Sequence, residues 1–80
     1  MRKFLTELQG KTVMTNDGRM LGTIDNFVLD TITGSIVHVL VTPKEDIELH
    51  DFHIDVSGRL MLPFKSMRSV KDVVVMDLGP

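Results

Sequence analysis

The chain has no cysteine, no tryptophan and no tyrosine, only three prolines, and no long apolar run in its 80 residues. The absence of cysteine removes disulfides, thiolate nucleophiles and cysteine metal ligands together, so burial or a partner subunit must hold the fold. With four phenylalanines as the only large aromatics, little is available to stack on unpaired bases. Nine Lys and Arg against eleven Asp and Glu give a formal charge of -2 and no general field for phosphate. Both features argue against nucleic acid as the partner. Met1-Arg2-Lys3 opens with positive charge, but Thr6, Glu7, Gln9 and Gly10 keep the next residues from forming a continuous apolar segment. Neither a signal peptide nor a membrane span has that pattern. A cytoplasmic protein with no membrane insertion is predicted.

What is present reads as one folded domain over residues 1–80. Hydrophobic residues make up 42% and charged residues 25%, which is globular composition. A chain this short buries only about 60 to 65% of its unfolded surface, so its stability margin is thin. Turn chemistry recurs at Asn16-Asp17-Gly18, Thr31-Ile32-Thr33-Gly34 and Gly58, with β-rich segments between. This spacing predicts an all-β, small single-domain barrel with strands near 11–15, 20–30, 35–42, 58–62 and 72–77.

Phe4, Leu5 and Leu8 are spaced for one helical turn that Gly10 stops, so residues 3–9 read as a short N-terminal turn capping the barrel. The segment 20–30 alternates imperfectly about a bend at Gly22. It places Leu21, Phe27 and Leu29 on one face and Met20, Ile24 and Val28 on the other. In 35–42, Val37, Val39 and Val41 oppose Ile36, His38 and Leu40. Residues 43–57 form a polar loop with a partial strand, where Phe52, Ile54 and Val56 alternate with His53 and Asp55. Pro63, lacking an N–H, is expected to interrupt the ladder.

Several short motifs fall in a definite order: Leu8-Gly10-Lys11-Val13, Asp17-Gly18, Leu21-Gly22, Asp25, Asp30, Thr33-Gly34, Leu40-Val41, Pro63-Phe64 and Val70-Asp72-Val74. Together they resemble the PRC-barrel family, shared by the photosynthetic reaction-centre H subunit, the C-terminal part of a bacterial ribosome maturation factor and short stand-alone archaeal proteins. The resemblance covers nearly the whole chain and is nearest the stand-alone archaeal type. One departure is Lys71, where many relatives carry glycine. The resemblance implies assembly and docking roles and brings no catalytic motif and no cofactor. The apolar strand surface is read as that of a non-enzymatic protein-interaction module, a homodimeric adaptor, and the resemblance implies that it helps to organise a larger assembly such as the archaeal cell-division machinery. The alternative it implies is a ribosome-maturation or RNA-processing accessory that docks on a ribosomal protein.

Candidate chemistry is sparse. Glu48, His50, Asp51, His53 and Asp55 cluster within eight residues, and His53 and Asp55 would share a strand face. They are read as a solvated polar loop with no metal site, because no orienting group is identifiable. His38, inside a Val-rich strand, is expected to be a structural histidine bonded to a neighbour, with no acid or serine placed beside it. Asp17, Asp30 and Asp72 flank turns and are assigned to backbone N–H groups, while Asp25 is left open. Arg59, Lys65, Arg68 and Lys71 gather basic charge around Pro63-Phe64. Gly18, Gly22 and Gly34 precede no helix and form no phosphate loop. Hydrophobic residues on both faces of Met61-Leu62 and Val73-Val74-Val75-Met76 mark a candidate interface at Met61, Val73, Val74, Val75 and Met76.

Overall fold

The computed structural model describes residues 2–78, with side chains from Phe4 onward. One helix, α1 (Arg2–Leu8), precedes six strands: β1 (Thr12–Thr15), β2 (Met20–Leu29), β3 (Ile36–Pro43), β4 (Leu60–Pro63), β5 (Met67–Val70) and β6 (Val73–Met76). They form a single sheet in the order β4-β3-β2-β1-β6-β5. Every neighbouring pair is antiparallel except β1 with β6. The parallel pair sets Val13 beside Val74 and so joins the first and last strands. The all-β expectation holds.

The N-terminal segment is a seven-residue α-helix and not a single turn. Gly10 ends it at φ 85°, a conformation open to glycine. The Gly10 N–H donates to the Ile24 carbonyl at 2.8 Å, and the Ile24 N–H donates to the Lys11 carbonyl at 2.9 Å. These bonds seat the helix end on β2 and drive Leu8 into the core.

Bulges explain why the alternation of 20–30 looked imperfect. Against β1, Leu21 is an extra residue between the Val13–Gly22 and Met14–Met20 pairs. Against β3, Asp25 is extra between the Ile24–Val41 and Asn26–Leu40 pairs. Each extra residue moves the following side chains to the opposite face. Leu21, Ile24 and Phe27 therefore all turn to the core, although the regular pattern predicted Ile24 opposite the other two. The core is built in cross-strand rows: Ile24 beside Val41 beside Leu60, and Phe27 beside Val39 beside Leu62. Burying each of these leucines contributes about 1.5–3 kcal/mol. Where β2 meets β3, a Cβ at Gly22 would lie 2.0 Å from the Thr42 carbonyl oxygen, so only glycine fits.

One further expectation is corrected. Pro63 does not interrupt the ladder, since it lies opposite His38 at the end of β4. The Met61 N–H donates away from β3, to the His53 carbonyl at 2.8 Å. Pro63 shares that parity, so its missing donor faces outward, where an edge strand tolerates proline. The segment His53–Asp55, the partial strand foreseen within the polar loop, lies along that outer side through the Ile54–Leu60 bridge. Strand β5 was not foreseen. Its residues Met67-Arg68-Ser69-Val70 are half-buried or exposed, with Arg68 as a bulge, so no alternation betrays it. A 3-10 turn, Phe64–Ser66, joins it to β4.

Candidate docking surface

The two ends of the β3–β4 ladder differ in chemistry. At the end where β3 begins, the turn after β2 is tied by Asp30, whose Oδ1 accepts the N–H groups of Ile32 at 2.8 Å and Thr33 at 3.1 Å. These bonds hold its carboxyl below the usual carboxylate range, Thr33 contributing most. Gly34 at φ 76° completes the turn and delivers Ser35 and Ile36 to the surface. Val37 is an extra residue against β2, between the Val28–His38 and Leu29–Ile36 pairs. The bulge leaves Val37 42% exposed, whereas regular alternation would have put it inward with Val39.

Phe4 from α1 and Phe64 from the corner after β4 meet edge to face here, ring centroids 6.5 Å apart at 89°. Together with Ser35 and Ile36 they line a cavity of about 520 Å³. A second cavity of about 480 Å³ lies between Ile36, Val37, His38, Pro63, Phe64 and Lys65. Sharing Ile36 and Phe64, the two make one apolar groove. The buried Nδ1 of His38 has no hydrogen-bond partner among the described residues. The bonded structural histidine expected from sequence thus lacks its partner at this nitrogen. Lys65 brings one cation to the groove, and Arg68 Nη1 donates to its backbone carbonyl at 2.8 Å.

The opposite end is closed by polar bonds. Arg59 ion-pairs with Asp25 at 3.0 Å and with Asp55 at 2.9 Å. Asp55 Oδ1 also accepts the N–H groups of Ser57 and Arg59. The Arg59 N–H, first among several bonds, holds the Asp55 carboxyl low, and the bond to Asp25 leads in raising the guanidinium. Asp25, left open by the sequence, is thus a structural anchor. Asp17 accepts from the Thr15 hydroxyl, the main cause of its lowered carboxyl.

The other candidates are dispersed. His50 approaches Glu48 at 3.5 Å and Asp51 at 3.4 Å, while Asp55 is engaged by Arg59. Among the described residues no three His, Cys, Asp or Glu side chains converge on a metal position. Of the basic group, Arg59 is consumed by its ion pairs, and the Lys71 carbonyl accepts from Lys11 Nζ at 2.6 Å. No non-glycine residue among those described has a positive φ, so the lysine at 71 demands no glycine freedom.

The candidate interface needs correction. Val74 and Met76 are fully buried core residues, because β6 alternates and these two face inward. Met61, Val73 and Val75 are half-buried, Met61 on the strand at one margin of the sheet and the two valines on β6 toward the other. The five do not share an exposed surface. Sequence reading missed the groove because Phe4, Ile36 and Phe64 are distant along the chain and no local pattern joins them. Pro63-Phe64 beside basic residues was its one visible trace.

Among the described residues no helix is long and apolar enough to cross a membrane. No curated protein matches the chain. Among solved structures it is similar to a putative 16S ribosomal RNA processing protein, RimM, from Pseudomonas aeruginosa, with a TM-score of 0.66 and 17% identity. That likeness covers 94% of this chain and 43% of the other, so the chain spans less than half of RimM. The profile of the PRC-barrel domain matches residues 1–80, and the chain belongs to the PRC-barrel domain family.

Proposed function

We propose that this domain is a non-enzymatic protein-docking module acting in the cytoplasm, and that it binds its partner through the groove between α1, β3 and the Pro63–Lys65 corner. One observation carries the reading: Phe4, Ile36 and Phe64, from three separate parts of the chain, converge on a partly open apolar groove beside the core. Concave apolar surfaces with a few polar groups at the rim are where partners gain most from burial. Asp17, Asp25, Asp30, Asp55 and Arg59 are occupied in turns and ion pairs, which supports docking over catalysis.

A second reading, an accessory to ribosome maturation that docks on a ribosomal protein, draws support from the likeness to RimM. An organising role in archaeal cell division is implied by the resemblance, and no residue of the groove singles it out. Affinity capture from cytoplasm with wild type and Val37→Asp tests the docking reading. A protein retained by wild type and lost with the variant is the expected result. Retention unchanged by the variant overturns the assignment to the groove. If the retained protein is ribosomal and survives nuclease, the second reading gains. Binding instead to RNA with a steep salt dependence would point to phosphate contacts and against protein docking.

A further inference from the structure

We infer that the occupant of the groove is the acidic loop Glu45–Asp51 of a second copy of this chain, an inference that rests on the docking reading. The groove floor is apolar and its lining includes one cation, Lys65, whose backbone carbonyl accepts from Arg68. Lys65 is paired with no carboxylate among the described residues. An occupant should therefore combine an apolar side chain with negative charge.

The chain itself carries such a segment. Residues 45–51 hold Glu45, Asp46, Glu48 and Asp51, and the 3-10 turn Leu49–Asp51 lifts Leu49 outward to 44% exposure between Glu48 and His50. An apolar tip beside carboxylates matches an apolar floor beside the Lys65 cation. The loop cannot fill the groove of its own chain. It follows Pro43 at the far end of β3, whereas the groove opens at Ile36, and the strand between them spans roughly 23 Å at about 3.3 Å per residue. The contact must run between copies. Two copies lying side by side in opposite directions satisfy both contacts and close a dimer, while copies in line leave one groove and one loop open.

Light scattering after size exclusion, over a concentration series, tests this directly. The monomer mass is 9.0 kDa, and wild type is expected to rise above it with concentration. Lys65→Glu and Glu48→Lys each place like charges across the contact and should weaken association about tenfold, and Leu49→Ser should weaken it as well. The double variant K65E/E48K restores opposite charges in reversed order and should recover wild-type association. All these side chains are on the surface, and thermal melts followed by circular dichroism verify that each variant is folded.

Wild type that stays at the monomer mass at its highest soluble concentration overturns the proposal. So does association indifferent to Lys65→Glu and Leu49→Ser, or a double variant that fails to recover. The two levels separate cleanly. A monomeric wild type whose capture of another protein is still abolished by Val37→Asp sinks the second copy as occupant and leaves the groove as a docking site.

Discussion

At one end of the β3–β4 ladder, Asp55, Arg59 and Asp25 satisfy one another and the turn backbone. At the other, Phe4, Ile36 and Phe64 leave a groove with a buried His38 nitrogen that has no partner among the described residues. The same two strands thus finish in opposite ways. The closed end is written mostly in consecutive residues, since Asp55 can reach the N–H groups of Ser57 and Arg59 by local turn chemistry. The open end needs three segments brought together by the sheet. Polar side chains at the first are used up in stabilising the fold, whereas apolar ones at the second retain contact area for a partner.

The contrast can be broken most severely where both ends depend on the close approach of β2 and β3. Gly22→Ala would place a methyl 2.0 Å from the Thr42 carbonyl oxygen, and backbone cannot yield as a flexible side chain can. A destabilisation above about 3 kcal/mol is expected, or failure to fold, measured by urea denaturation. A melting curve like wild type would show that the strands can separate without loss.

Removing a row of the shared core is the next largest effect. Leu62→Ala, beside Val39, should cost about 2–5 kcal/mol by transfer and cavity formation. It should weaken groove and polar end alike, because both hang from β4.

Arg59→Met distinguishes the ends. It leaves Asp25 and Asp55 facing each other without their cation, so stability at neutral pH should fall while the groove keeps its shape. The carboxyls of Asp17, Asp30 and Asp55 are depressed by the bonds they accept. A depressed carboxylate contributes stability that is fully present above the unfolded value, about 3.9, and is lost as pH falls through the folded value. Wild type should therefore lose stability in acid, and Asp30→Asn should flatten that loss. The difference between wild type and Arg59→Met should narrow in the same range as the carboxylates protonate. Denaturation midpoints across pH check both, and a gap that stays constant into acid would remove the ion pairs from the account.

The smallest effect on stability belongs to the open end. Val37→Asp, at a bulged and exposed position, should change stability within about 0.5 kcal/mol while abolishing capture of the partner. A large loss of stability would make Val37 part of the core and undo the comparison.

Turns, strand periods and motif order were legible because they depend on neighbours in the chain. Asp30 reaches N–H groups two and three residues on, and Gly10, Gly18, Gly34 and Gly58 supply the positive φ their turns require. Residue type therefore marked where β1, β2, β3, β4 and β6 begin and end, and which family the chain joins. Facing directions and partners were not legible. The bulges at Leu21, Asp25 and Val37 arise from pairing with other strands, and each reverses the side a later residue faces. Strand β5 has no apolar alternation and exists because β6 offers it an edge. Val74 and Met76 looked available to a partner until the parity of β6 placed them inside. The sequence by itself determined the local conformations, whose cause lies within a few residues. Only the tertiary structure decided the groove, because Phe4, Ile36 and Phe64 become neighbours through a sheet register that no single segment encodes.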